Sequence, residues 1–220
     1  MFIDFDGTIA PIDTTDLVLE RFADPAWTAV EDEWKAGKIG SRECLVRQID
    51  LVRASPQALD ALLESIEIDP GFPGFVRLCR GYGFATTVVS DGLDRSVGTV
   101  LQRAGLTLPY FANHLEWLGG ERWRLGFPHA RNDCKALSGN CKCGFANAAN
   151  QPARILIGDG RSDFCVAHRV DLVLAKDKLI QYCREHGLAH QPFTTFAEAS
   201  GLLEGWFRER SESQSDRVIG

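Results

Sequence analysis

Phe2-Ile3-Asp4-Phe5-Asp6-Gly7-Thr8 is the stretch on which the reading of this chain turns. An apolar run ends in two carboxylates two residues apart, followed at once by a glycine. In a β-strand, side chains at i and i+2 point to the same side, so Asp4 and Asp6 are expected to face one reaction centre. Carboxylates that close do not both ionise cheaply without a neighbouring cation. A hard divalent ion such as Mg²⁺ answers that need, taking oxygen ligands while keeping several waters. Gly7 lets the backbone approach a ligand closely, and Thr8 adds a hydroxyl and a backbone N–H. The outline is that of a phosphate-handling site. Only three residues precede Asp4, so the strand is either short or continues upstream of Met1; the sequence leaves both open.

The 220 residues, 45% of them hydrophobic, can build one substantial core, or one core with a small accessory domain. A formal net charge of −6 argues against a nucleic-acid-coating protein, which needs basic surface to displace counterions. It is compatible with an anionic substrate held in a locally positive pocket. No run of about 18 apolar residues predicts a membrane span, and the acidic start is unlike a secretory signal. Seven cysteines, at 44, 79, 134, 141, 143, 165 and 183, are odd in number and scattered. They read as reduced thiols, and the expected location is the cytoplasm.

From about residue 13 to 68 the pattern is helical. Asp24-Pro25 is expected to open one helix with proline at its first position, Ser41-Arg42-Glu43 another, and Ser55-Pro56 a third. Gly37 and Gly40 punctuate the break between two of them. A helix over 72–82 leads into the β-rich run Phe84–Ser90, expected to end in a turn at Ser90-Asp91-Gly92. A helix over 93–104 follows, and 114–118 with 122–127 read as a hairpin around Gly119-Gly120. Arg154-Ile155-Leu156-Ile157 is an apolar strand ending at Gly158-Asp159-Gly160. A short strand at 171–175, helices at 176–185 and 196–208, and a polar, frayed tail over 209–220 complete the pattern.

Strands that alternate with helices and end in polar turns imply an α/β fold, a Rossmann-like parallel sheet flanked by helices. Such sheets bind ligands off the carboxyl ends of their strands. Asp4, Asp6, Ser90 and Asp159 all fall at such ends. The core is expected to comprise 1–12 and 71–208, with a small all-helical domain, 13–70, inserted after the first strand.

Taken in order, these residues resemble the haloacid dehalogenase superfamily of phosphohydrolases. Asp4-Phe5-Asp6-Gly7-Thr8 looks like its first motif and Ser90 after Thr87-Val88-Val89 like its second. Lys142 suits its third, and Gly158-Asp159-Gly160-Arg161-Ser162-Asp163 its fourth. Lys135 sits in a Cys-Lys context like that of Lys142, which is preferred because it falls just before the last helix ahead of the Asp159 strand. The resemblance implies Asp4 as nucleophile and Asp6 as general acid and base. It implies Mg²⁺ on Asp4, the Asp6 carbonyl and Asp159, with Asp163 acting through water or orienting the shell. Thr8, Ser90, Asp91, Gly92 and Lys142 would bind phosphate. The insert is similar to the superfamily's C1-type cap, which favours small phosphorylated metabolites over protein partners.

Two branches with this cap are similar. Phosphoserine phosphatases share the segment Gly37-Lys38-Ile39, but have a glutamate where Asp13 stands and an arginine near Gln48; Asp13 and Arg47 are the corresponding candidates for substrate reading. The branch acting on 2-hydroxy-3-keto-5-methylthiopentenyl-1-phosphate is more similar, through Phe22-Ala23-Asp24-Pro25-Ala26-Trp27, Ser41-Arg42-Glu43 and the cysteine-rich stretch before Lys142. Phosphoethanolamine/phosphocholine phosphatases are a third comparison, through Asn140-Cys141-Lys142. Phosphoryl transfer to an acceptor, or a zinc-stabilised binding module, are the remoter readings. His129, Cys134, Cys141 and Cys143 are a candidate zinc quartet, and Phe22, Trp27 and Trp34 are expected in the core of the insert.

Overall fold

The computed structural model describes residues 1–148 and 153–216. Strand β1 (Phe2–Ile3) is followed by four helices, α1 (Thr14–Phe22), α2 (Trp27–Lys35), α3 (Ser41–Ile49) and α4 (Pro56–Glu64). Helix α5 (Phe72–Gly81) then leads to β2 (Thr87–Leu93), α6 (Asp94–Arg103), and the hairpin β3 (Tyr110–Gly119) and β4 (Arg122–Gly126). Next come α7 (Lys142–Ala148), β5 (Ile155–Gly158), a 3₁₀ turn (Arg161–Asp163), α8 (Phe164–Ala167) and β6 (Leu172–Ala175). Helix α9 (Asp177–Glu185), β7 (His190–Pro192) and α10 (Phe196–Asp216) close the described chain.

Among the described residues the sheet has seven strands in the order β4-β3-β2-β1-β5-β6-β7, parallel except for the β3–β4 pair. Both β5 and β6 are buried at every position, which is why they read as continuous apolar runs. Their alternate side chains serve two layers. Ile155, Ile157, Leu172 and Leu174 join Phe72, Phe75, Phe196 and Leu203 on one face. Leu156 and Val173 join Ala146, Val166, Leu179 and Cys183 on the other. β1 pairs with β2 on one side and β5 on the other, so the chain departs in opposite directions from its two neighbours. That switch point opens a crevice just beyond Ile3, where Asp4 and Asp6 stand.

The insert divides its loyalties. Val18 and Leu19 of α1 and Leu59 and Leu63 of α4 belong to the main core beside Ile3 and Phe5. α4 is further tied to α6 by the two-pronged Arg95–Asp60 pair, with both contacts at 2.7 Å. α2 and α3 pack on each other and supply the opposite wall of the site.

Several boundaries differ from expectation. β2 continues through Ser90-Asp91-Gly92 to Leu93 rather than turning there, because the Asn113 side-chain amide holds the Asp91 carbonyl and Leu93 pairs with Asn113 across a bulge. β3 starts at Tyr110, so one strand serves both the parallel sheet and the hairpin. β7 was not expected. Pro25 lies in the turn before α2, where Asp24 accepts from the Ala26 N–H at 2.9 Å. Helix α10 runs on to Asp216 instead of stopping at 208, since neither Gly nor Pro interrupts residues 206–216. The rest of the expected tail, 217–220, lies outside the described residues. Among the described residues, no helix is long and apolar enough to cross a membrane.

Candidate active site

Asp4 leaves the sheet just after β1 and is nearly sealed from solvent. Its Oδ1 accepts from the Phe5 N–H at 2.8 Å; its Oδ2 lies 2.7 Å from Lys142 Nζ and accepts from Ser162 Oγ at 3.3 Å. Asp6 is held differently. Its Oδ1 accepts from the Thr14 N–H and hydroxyl at 2.8 and 2.6 Å, and its Oδ2 from Ser90 Oγ at 3.1 Å. Ser90 in turn accepts from the Gly92 N–H at 2.8 Å. A Cβ at Gly92 would lie 2.5 Å from Asp6 Oδ2, so glycine is what lets the second strand end come this close.

Asp159 follows β5 across the crevice. Thr8 donates to its Oδ1 at 3.1 Å. Gly7, at φ +70°, passes so close that a Cβ there would sit 2.5 Å from Asp159 Oδ2. Asp163, fully buried at the end of the 3₁₀ turn, meets Lys142 Nζ at 2.7 Å through Oδ1. Its Oδ2 faces the Asp159 and Gly160 N–H groups at 3.3 and 3.4 Å. Lys142 also donates to Ser162 Oγ at 2.8 Å. Lys135 is exposed, so Lys142 is the lysine of this site.

The charge balance of this cluster has physical consequences. Burial, then the Asp13 carboxylate, pushes Asp6 up to about 7. Burial and the neighbouring Asp4 push Asp159 up to about 6 and Asp163 well above the carboxylate range. Burial alone would lower Lys142, but Asp163 and Asp4 carry it above the usual lysine value. The acids outnumber the ammonium that touches them. Asp4, Asp159 and Asp163 offer carboxylate oxygens all within 4.8 Å of one another, a donor set that fits a hard divalent cation.

A cavity of about 500 Å³ opens over these groups. Asp4, Asp6, Asp159 and Gly92 line one side; Trp34, Lys35, Glu31, Cys44, Leu45 and Gln48, from α2 and α3, line the other. Asp13 also reaches the cavity. It caps α1, accepting from the Thr15 and Asp16 N–H groups at 2.9 and 3.0 Å. Burial and then Asp16 raise it to about 6.

Several sequence expectations are corrected. Thr8 does not face a phosphate: its hydroxyl serves Asp159, and its N–H is taken by the Phe5 carbonyl at 3.3 Å. Asp91 is a brace instead of a phosphate ligand, its Oδ2 accepting from Ser41 Oγ at 2.7 Å and its Oδ1 from the Asn140 N–H at 2.7 Å. Arg47 lies outside the cavity, paired in two-pronged fashion with Glu33 at 2.7 and 3.0 Å. Among the described residues, the candidate zinc quartet does not gather, and the only metal-competent group is Asp4, Asp159 and Asp163. The His129 ring packs against Phe111 and Phe145, and Cys143 meets Cys165 at 2.7 Å. Of the three aromatics expected in the insert's own core, Phe22 and Trp27 pack on the main core, whereas Trp34 lines the cavity with the Arg161 guanidinium 5.0 Å from its ring centroid.

The model of the family described as haloacid dehalogenase-like hydrolase matches residues 1–168. The chain belongs to this family. A 2-hydroxy-3-keto-5-methylthiopentenyl-1-phosphate phosphatase of Geobacillus kaustophilus is 33% identical over 211 residues, covering 93% of this chain and 94% of the relative. One from an Exiguobacterium species is also 33% identical over 211 residues, covering 92% and 95%. Among solved structures, a phosphoserine phosphohydrolase-like protein of Francisella tularensis superposes with a TM-score of 0.67 at 19% identity, over 91% of this chain and 97% of that one. That last likeness concerns the fold. With phosphatases aligned along nearly its whole length, this haloacid dehalogenase-like hydrolase is a phosphomonoesterase.

Within the hydrolase, sequence reasoning missed several contributors. Ser162 touches both Asp4 and Lys142, and its place inside the fourth motif was the available signal. Thr14, which holds Asp6, and Asn140, which donates to the Ser90 and Phe111 carbonyls at 2.8 Å, carried no spacing signal. Neither did Glu31; the helical spacing of Trp34 pointed to the insert's core, and its place on the cavity beside Gln48 depends on how α2 and α3 pack.

Proposed function

We propose that this phosphatase hydrolyses a small phosphate monoester through an aspartyl-phosphate on Asp4, with Mg²⁺ as cofactor, and that its substrate is 2-hydroxy-3-keto-5-methylthiopentenyl-1-phosphate or a close analogue. The observation that carries the reading is the meeting of Asp4, Asp159, Asp163 and Lys142 beneath a cavity that also admits Asp6. We further read residues 13–70 as the cap over that cavity.

Asp4 would attack phosphorus through a carboxylate oxygen, forming the O–P bond as the ester P–O bond breaks. Asp6, which burial raises to about 7, would deliver a proton to the departing alkoxide. In the second half it would take a proton from the incoming water, and cleavage of the Asp4–phosphorus bond would release phosphate. Lys142 and Ser90 would face the phosphoryl oxygens, and Lys142 would balance charge as it builds. Asp4, the Asp6 carbonyl and Asp159 would hold Mg²⁺, with Asp163 orienting them; when bound, the ion neutralises phosphoryl charge.

Specificity follows from the opposite wall. Trp34 and Leu45 offer apolar and aromatic surface suited to a thioether tail. Arg47 is turned away, and Asp13, Asp16 and Glu31 face in beside Lys35, Arg161 and Lys178, so the charge of the lining is mixed. The same acids favour one alternative, an ammonium-bearing ester of the phosphoethanolamine or phosphocholine type. Phosphate release from the methylthiopentenyl ester, phosphoserine, phosphoethanolamine and phosphocholine, read as kcat/KM with and without Mg²⁺, tests both levels. Preference for phosphocholine or phosphoethanolamine would replace the substrate assignment. Undiminished turnover in EDTA would remove the metal.

A further inference from the structure

We propose that Cys143 and Cys165 form a reversible dithiol–disulfide pair that staples the lysine-bearing arm of the active site to the aspartate-bearing arm. The two residues are 22 positions apart, on α7 and α8, and their sulfurs lie 2.7 Å from each other. A disulfide bond is about 2.05 Å long, so the sulfurs close onto bonding distance with very little movement. Cys143 directly follows Lys142, and Cys165 stands two residues beyond Asp163. Lys142 Nζ and Asp163 Oδ1 already meet at 2.7 Å, so the bond would form alongside an existing contact between the same two arms.

Access singles this pair out. Both thiols are half-buried, whereas Cys44, Cys79, Cys134, Cys141 and Cys183 are buried. The co-reactant required is a peroxide. One sulfur attacks a peroxide oxygen: an S–O bond forms, the O–O bond breaks, and the departing oxygen leaves as water with the thiol proton. The second sulfur then attacks the first, the S–S bond forms, and the S–O oxygen leaves as a second water. The two sulfurs supply two electrons to the peroxide, and a small dithiol reverses the change. The pair is independent of which ester the enzyme cleaves.

The test uses the whole reduced protein, treated with hydrogen peroxide, capped with N-ethylmaleimide and digested without reductant. The expected product joins the Cys143 and Cys165 peptides, lighter by two hydrogens than their sum, and is lost on adding dithiothreitol. The oxidised protein should melt about 5 °C higher, because closing this loop restricts the unfolded chain. Neither the cross-link nor the rise should appear in Cys143→Ser, in which Cys165 should advance to sulfinic acid. Free thiols at both positions after treatment, a Cys134–Cys141 bond in their place, or joining of two chains through these residues would overturn the proposal.

Discussion

Lys142 Nζ lies 2.7 Å from Asp4 Oδ2, with side chains only 3% and 6% exposed. The same ammonium bonds Asp163 and Ser162, so one cation on α7 ties together two segments, the turn after β1 and the 3₁₀ turn after β5. Removing one partner of a buried ion pair leaves charge without compensation, which costs about 3–5 kcal/mol. Lys142→Ala should therefore lower the melting temperature by several degrees, and it should cut kcat by roughly 10²–10³-fold through lost stabilisation of phosphoryl charge. Calorimetry and steady-state hydrolysis check the two effects. Near-normal kcat in a folded Lys142→Ala protein would remove the lysine from the chemistry.

Asp4→Asn separates chemistry from folding. Asp4 crowds Asp159 and Asp163 and contributes to holding both above the usual carboxylate range. An amide of the same shape removes a negative charge from this cluster while Lys142 keeps Asp163 as its carboxylate partner at 2.7 Å, so the melting temperature without added metal should equal or exceed that of the parent protein. Turnover should fall at least about 10³-fold, because the amide cannot form the acyl-phosphate bond. Hydrolysis near the parent rate would discard the nucleophile assignment.

The legible part of this molecule was the part written in local sequence. Asp4, Asp6, Asp159 and Asp163 sit at strand ends and turns whose glycines and apolar runs mark them; the structure gathers Asp4, Asp159 and Asp163 beside Lys142, with Asp6 on the same cavity. Ser55 caps α4 with a bond to the Ala58 N–H at 3.2 Å, as Ser55-Pro56 implied. What escaped the sequence depends on tertiary packing. Asp91 stands beside Ser90 in a turn-like tripeptide, yet its role is fixed by Ser41, Asn113 and Asn140, all distant in the chain. Burial then drives its pKa up, with these bonds working against that rise. Thr8 looked like a phosphate ligand because nothing local says that Asp159 takes its hydroxyl.

Gly92→Ala is the most economical probe of the Asp6 setting. The added methyl would stand 2.5 Å from Asp6 Oδ2 and 3.1 Å from Ser90 Oγ, both partners in the bond that orients Asp6. Either Asp6 rotates away or the strand end retreats. Displacements of this size cost on the order of 10²-fold in rate, so kcat should drop by that amount while far-UV circular dichroism is unchanged. A crystal structure of the variant would show the Asp6–Ser90 bond lengthened. Retention of both the bond and the rate would mean that the crevice is looser than these distances indicate.

Arg47 supplies the opposite expectation. Its guanidinium is committed to Glu33 and lies 3.7 Å from Glu43, at side-chain exposures of 39%, 38% and 59% for the three residues. Surface pairs of this kind contribute about 0–1 kcal/mol. Arg47→Ala should therefore leave kcat/KM within about two-fold of the parent value and the melting temperature within a few degrees. Gln48, its neighbour on α3, is buried, lines the cavity and donates to Glu31 at 3.0 Å. Gln48→Ala leaves that carboxylate short of a donor at the substrate-facing wall, so KM should rise several-fold with kcat less affected. A large loss of kcat/KM in Arg47→Ala with none in Gln48→Ala would mean that the helix turns its other face to the substrate.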